Sequence, residues 1–261
     1  MNMIAPQQIK QEELHVWWVN LRDFELAVPA LWPVLSPLEQ ARAERHRSLR
    51  DKDKYIIRHG MLRMLLATYL RQAPSSFNFT IGDRGKPALR TRLAAGPLHF
   101  DTSHSGDVVL YSFTSNCPVG VEVEFLQPVR GWEQIAREVF SQSEAESLMA
   151  LPDELRFKRF FYLWTRKEAL LKATGDGWGI DREASFGFLP NPESSRPMGA
   201  KPTLGTSSGW HVRSFLPVPG YVAAVAFQDP DLSVICRCAP GFFSGELGCP
   251  GRFISRNPSG I

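Results

Sequence analysis

The chain has 261 residues, 43% hydrophobic and 22% charged, enough for one large domain or two of about 100–150 residues each. Its formal net charge of +3 is too small to imply nucleic acid, and no apolar run approaches the ~20 residues that span a bilayer. The opening MNMIAPQQIKQEEL lacks a secretory pattern, and Cys117, Cys236, Cys238 and Cys249 complete no zinc spacing, so a cytoplasmic protein with reduced thiols is expected.

Leu14–Leu21 reads as a strand, and Pro37–Arg50 as a polar helix opened by Ser36 with proline in its first turn. Lys54–Arg71 carries apolar residues at helical spacing, and Pro74 ends it. From Glu39 to Arg63 there are eight Lys/Arg against four acids, a local net of +4. Such a run is either a solvated helix face or a surface for phosphates or an acidic protein. Short strands follow at Asn78–Ile81 and Leu98–Asp101, with a Gly-Asp-Arg-Gly-Lys-Pro turn between them. Val108–Thr114 and Val119–Phe125 are the clearest β runs of the middle. Helices are expected at Gln134–Phe140, Ser143–Leu151 and Glu154–Ala173, then strands at Ala184–Leu189, Trp210–Phe215 and Tyr221–Phe227. Two stretches of similar size each hold strands and one long helix, which predicts an α+β protein of two halves joined near residues 115–120. Residues 229–261, rich in Pro, Gly, Ser and Cys, read as a poorly ordered tail.

Three segments carry chemistry. In Pro118-Val-Gly-Val-Glu-Val-Glu-Phe125 the period of two puts Gly120, Glu122 and Glu124 on one strand face. That face is either the solvated side of an amphipathic strand or a site for a hard cation such as Mg²⁺, which takes carboxylate oxygens. In Phe160–Ala173, Trp164, Glu168 and Lys172 lie i, i+4, i+8 along one side of a helix. Glu168 is either half of a surface pair with Lys172 or a third carboxylate for a metal, with Lys167 or Lys172 aimed at phosphate. His99-Phe-Asp-Thr-Ser-His-Ser-Gly-Asp107 offers hydroxyl and imidazole donors to an anion, or is simply solvated.

Gly-Lys-Pro (85–87), Phe-x-x-Ser-His-Ser (100–105), Gly-Val-x-Val-Glu (120–124) and Trp-x-x-Lys-Glu-Ala-x-x-Lys-Ala (164–173), in this order, resemble the large, Sfp-type class of 4′-phosphopantetheinyl transferases. The resemblance spans roughly residues 14–228. It implies a pseudo-symmetric α+β monomer: a half at 1–118 for the coenzyme A nucleotide, a half at 119–228 for metal and catalysis, and the active site between them. Each half would have a small, mainly antiparallel sheet packed on a long helix. The activity implied is transfer of 4′-phosphopantetheine from coenzyme A to a serine of an acyl, polyketide or peptidyl carrier protein. The alternative is an impaired member that only binds the carrier or coenzyme A.

By that resemblance Glu122, Glu124 and Glu168 would hold Mg²⁺, or Mn²⁺, against the pyrophosphate. Glu168 is the first choice for general base and Glu124 the second, with Lys172 near the phosphates. Lys54, Lys86, Ser103, His104, Arg42 and Lys167 would serve coenzyme A. Glu122 stands where the family usually has Asp, Asp101 where it has Asn beside a phosphate site, and Lys54 where it commonly has Arg. Neither nucleic acid nor membrane is expected as a partner, and the segment from about Gly131 to Asp153 is where the carrier would dock.

Overall fold

In the computed structural model, the structure describes residues 7–81, 87–89, 97–175, 204–205, 209–239 and 253–254. Strand β1 spans Glu13–Asn20, close to the expected strand. After a 3₁₀ stretch and the single-turn helix α1 (Val28–Leu31) come α2 (Pro37–Ala43) and α3 (Leu49–Leu70). The first helix, expected over Pro37–Arg50, thus stops at Ala43, and the second begins at Leu49 instead of Lys54. Ser36 and Glu39 form a reciprocal capping box that starts α2, and Ser48 accepts the Asp51 amide to start α3. The second cap hands Arg50, Lys52 and Lys54 to the longer helix.

Strands β2 (Phe79–Ile81), β3 (Pro87–Leu89), β4 (His99–Ser105), β5 (Val108–Thr114) and β6 (Gly120–Phe125) follow. Helices α4 (Trp132–Val139), α5 (Gln142–Met149) and α6 (Asp153–Thr174) precede β7 (Leu204–Gly205), β8 (His211–Phe215), β9 (Tyr221–Phe227), β10 (Ser233–Cys238) and β11 (Phe253–Ile254). The strand expected at Ala184–Leu189 lies outside the described residues.

One sheet has the order β11-β10-β1-β5-β4 and a second the order β6-β9-β8-β7, while β2 and β3 form a separate hairpin. Every pairing is antiparallel except β1 with β10. This is the mixed α+β architecture expected, with a 22-residue helix, α3 and α6, on each side. The expected flexible tail is corrected over Ser233–Cys238. There β10 runs parallel to β1 in register from Glu13↔Ser233 to Trp18↔Cys238, and Leu232, Val234 and Ile235 are buried. The β-branched Val234 and Ile235 suit a covered strand, whereas the tail's Pro, Gly and Ser dominated the compositional reading.

All seven residues of β5 are buried because its sheet is covered on both faces. Val109, Tyr111 and Phe113 pack with Ile56, Met61 and Leu65 of α3. Val108 and Leu110 join Leu14 and Val16 of β1 against Val121, Val123, Ala223, Val225 and Phe227 of the second sheet. The two sheets therefore share one apolar core. On the far side of the second sheet, Ala224 and Ala226 meet Ala169 and Ala173 of α6.

Candidate active site at the seam between the two sheets

Strands β4 and β6 belong to different sheets, yet side chains stitch their edges together. Every second residue of β4 takes part, as a strand's period requires. Asp101 Oδ2 accepts the Val121 N–H at 2.9 Å, Ser103 Oγ the Val123 N–H at 3.2 Å, and Ser105 Oγ the Phe125 N–H at 3.1 Å. The two hydroxyls then donate onward, Ser103 to Glu122 Oε1 and Ser105 to Glu124 Oε2, both at 2.7 Å. The serines accordingly hold the acidic face of β6 in place.

That face looks at α6, not at solvent. A Cβ at Gly120 would lie 2.0 Å from the Ala169 carbonyl oxygen and 2.5 Å from the Ala173 nitrogen, so only glycine admits the helix here. Close approach brings the Trp164–Glu168–Lys172 stripe over the two glutamates. Trp164 hydrogen-bonds Glu124. Lys172 Nζ sits 2.6 Å from Glu122 Oε2 and donates to the carbonyls of Thr102 (3.1 Å) and Val121 (3.2 Å). Burial raises the pKa of Glu124, the Ser105 bond opposes this, and neighbouring Glu122 adds to the rise. Burial alone would lower Lys172, but Glu122, Asp101 and Glu168 outweigh it and the ammonium is held above its ordinary value.

Four carboxylates thus surround one ammonium, and the oxygen-only donor set fits a hard divalent cation such as Mg²⁺ or Mn²⁺ in charge and ligand type. Among the described residues no group of three His, Cys, Asp or Glu converges as it stands on one ion. Glu122 is instead drawn to Lys172.

Beyond the acidic seam the field reverses. His104 is exposed at the end of β4, yet desolvation and then Arg58, Lys172, His59 and Lys54 hold its imidazole down at about 4. The adjoining Gly106-Asp107 turn gathers cations. Lys54 Nζ lies 2.6 Å from Asp107 Oδ1, Arg22 Nε 2.6 Å from Oδ2, and an Arg50 nitrogen 3.3 Å from Oδ1. Hydrogen bonding from Lys54 is the first cause that holds the Asp107 carboxyl down at about 2. A face with carboxylates at one end and cations at the other matches a ligand carrying several phosphates, one of them metal-bound.

Comparison with known proteins agrees with this geometry. Residues 118–226, which include β6, α6 and all but the last residue of β9, match the family described as the 4′-phosphopantetheinyl transferase superfamily. The chain is 34% identical over 215 residues to the 4′-phosphopantetheinyl transferase HetI of Nostoc sp., covering 82% of this chain and 87% of that protein. The chain belongs to the 4′-phosphopantetheinyl transferase superfamily. It is also 25% identical over 197 residues to the transferase Sfp of Bacillus subtilis, covering 76% of this chain and 84% of that protein. The transferase psf-1 of Bacillus pumilus is 32% identical over 150 residues, 58% of this chain and 62% of that protein.

Within this transferase the expected site residues fall into three groups. Glu122, Glu124 and Lys172 are brought together, with Glu168 one turn before Lys172 on the same helix. His104 and Lys54 lie in the cationic region, and Arg42 is exposed in the last turn of α2 beside Tyr55. Two residues expected to serve coenzyme A have partners within the protein. Ser103 is buried and spent on Glu122 and the Val123 amide. Lys167 is buried and donates to the Val139 carbonyl at 2.6 Å, satisfying the end of α4. Asp101 is also relocated: its charge bears on Lys172 in the seam, where it adds to the acidic cluster. Lys86 lies outside the described residues.

The basic run is not a single solvated face. Arg63 is 1% exposed and ion-paired with Glu39 at 2.8 Å, and it also donates to the Pro74 and Phe77 carbonyls. Lys52 pairs with Glu44. Asp107 and Arg22 escaped the sequence reading because no local pattern shows that a turn residue pairs with Arg22, 85 positions away, and Arg50, 57 positions away; only the Gly-Asp pair closing the Ser-His-Ser segment hinted at it.

Proposed function

We propose that this transferase moves the 4′-phosphopantetheine arm of coenzyme A onto a serine hydroxyl of an apo acyl, polyketide or peptidyl carrier protein, releasing 3′,5′-ADP. The observation that carries this reading is the apposition of Glu122 and Glu124 on β6 with Lys172 on α6, across the seam from the cations around His104. In the displacement, the serine oxygen attacks the pantetheine-side phosphorus, the bond from that phosphorus to the bridging oxygen breaks, and the serine proton goes to a carboxylate.

We assign that base to Glu168, with Glu124 as the other candidate. Glu122, Glu124 and Glu168 would hold Mg²⁺ or Mn²⁺, which when bound supplies positive charge to the pyrophosphate oxygens. Lys172 stays protonated at neutral pH, since its pKa is raised, and offers an ammonium to the negative charge that develops on the leaving group. Lys54, Lys86, His104 and Arg42 serve the nucleotide in this reading. Residues 1–118 form the nucleotide half and 119–228 the catalytic half. The carrier docks over α4 and α5, where an open cavity of about 530 Å³ is lined by Arg137, Phe140, Ala145 and Met149, among others. We read the enzyme as a cytoplasmic monomer; none of its described helices is long and apolar enough to cross a membrane.

The test is mass spectrometry of several apo carrier proteins after incubation with coenzyme A, Mg²⁺ and this protein. A mass gain of one phosphopantetheine, abolished by EDTA, is expected; no gain on any carrier would refute the reading. Glu168→Gln should lose transfer by at least 100-fold while its circular dichroism is unchanged. Retained activity would remove Glu168 from both the base and the metal roles.

A further inference from the structure

Helix α4 has little of its own to hold it in place. It is eight residues long, shorter than the ~12–15 that a helix needs to stand alone, and its N-cap Gly131 offers no side-chain bond. Ala136 is the residue it buries fully. Helix α5 is better provided, because Ser141 and Glu144 cap it reciprocally. Two extended residues, Phe140 (φ −87°, ψ 159°) and Ser141 (φ −62°, ψ 160°), form the elbow that joins the two helices.

Helix α6 supplies what α4 lacks. The Phe160 ring centre lies 5.5 Å from that of Trp132 at the start of α4 and 5.7 Å from that of Phe140 at its end. Lys167 follows seven residues later, on the same side of α6 and about 10.5 Å further along its axis. It is buried, and its ammonium donates to the Val139 carbonyl at 2.6 Å. That carbonyl is among the last four that a helix cannot satisfy internally, and a cation suits the negative end of the helix dipole. The next residue is Glu168, set about 100° round the same turn, on the stripe it shares with Trp164 and Lys172. One turn of α6 thus carries the assigned base and, beside it, the anchor of the elbow.

We propose that Lys167 is a positioning residue for the acceptor. It fixes the elbow between α4 and α5, over which the carrier docks, to the turn of α6 that holds Glu168, and so sets the reach between the docked serine and its base. This rests on the proposed transfer and on docking over α4 and α5. The donor side does not depend on this contact, since Ser103 and Ser105 of β4 hold Glu122 and Glu124. Loss of the anchor therefore separates the two substrates kinetically. A shift of about 1 Å in a reactant can slow a step by up to ~100-fold. The elbow keeps its packing on Phe160, so the loss here is smaller.

The experiment measures steady-state transfer to the apo carrier protein that the wild type modifies fastest, using Lys167→Met, Lys167→Arg and Arg137→Ala. Lys167→Met keeps the length of the side chain but removes the donor. It should lower kcat/KM for the carrier about tenfold and leave KM for coenzyme A within twofold. Lys167→Arg retains a donor and should recover most of the loss. Hydrogen exchange at the elbow amides of Phe140 and Ser141 should quicken in Lys167→Met while that of β6 is unchanged. Lys167→Gln, whose amide is too short to reach Val139, answers the same question if the methionine variant does not fold. A raised KM for coenzyme A overturns the inference, and so does a lower melting temperature with wild-type carrier kinetics. Arg137→Ala, exposed on the rim of the cavity over α4 and α5, reports docking independently and should raise the carrier KM severalfold. If neither Arg137→Ala nor Lys167→Met changes the carrier kinetics, this inference falls together with docking there, and the transfer itself stands. If the wild type modifies no carrier, it is the proposed function that fails.

Discussion

At the scale of single residues, charge decides more than hydropathy. Glu39 shows how a basic run becomes structure. Burial alone would raise its pKa, but bonds from His59, from the amide and hydroxyl of Ser36, and from Arg63 hold the carboxyl at about 2, against an ordinary 4.5. Its folded pKa is thus below its unfolded one, so the stabilisation is present above pH 4.5 and lost as pH falls toward 2. The magnitude is about 3 kcal/mol. Urea titrations of wild type and Glu39→Gln should show a stability gap of that order at pH 7 that narrows across this window. A gap independent of pH would show that packing rather than charge holds the site. The acidic seam follows the same logic. The alternation in β6 makes Glu122 and Glu124 face-mates from sequence alone, but only the fold supplies Lys172, Ser103 and Ser105 as their partners.

At the scale of elements, position along the chain was more legible than commitment of side chains. The strands β5 and β9 match the sequence reading because runs such as Val108–Thr114 and Tyr221–Phe227 are long, apolar and bounded by turn residues. The break between α2 and α3 was expected after Arg50 but falls after Ala43, because its signal is the single cap Ser48 inside a polar stretch. The partners of Lys167 and Ser103 were hidden for another reason. Both lie in family-like motifs, yet each has a backbone or carboxylate partner contributed by a remote element. Gly120 is the element-scale hinge of the site. Gly120→Ala should push α6 off β6, cost roughly 3 kcal/mol or more through overpacking, and depress transfer beyond the loss of stability by displacing Glu168 and Lys172. Denaturant unfolding and transfer rates on the same preparation check this; wild-type values for both would show that the backbone gives way cheaply.

At the scale of the whole molecule, the segment after Phe227 is part of the sheet that holds β1, β5 and β4. Leu232, Val234 and Cys236 complete the core shared by the two sheets, and β10 covers the edge of β1. Ending the chain at Gln228 removes them and leaves that edge unpaired. The loss should be on the order of 5 kcal/mol from the buried Leu232, Val234 and Ile235 side chains, with aggregation from the exposed edge. Thermal unfolding and light scattering of the shortened protein read this, and unchanged melting would make β10 dispensable.

By itself the sequence determined the α+β class, the shared face of Glu122 and Glu124, the Trp164–Glu168–Lys172 stripe, and the likeness to the transferase family. These are properties of local period and of motif order, which survive without coordinates. Only the tertiary structure decided that β4 is stitched to β6 by Asp101, Ser103 and Ser105, that Glu122 pairs with Lys172, and that Arg22, Arg50 and Lys54 meet at Asp107. Each is a contact between segments far apart in the chain, and the partner of a charge is set by which surfaces the apolar cores bring together.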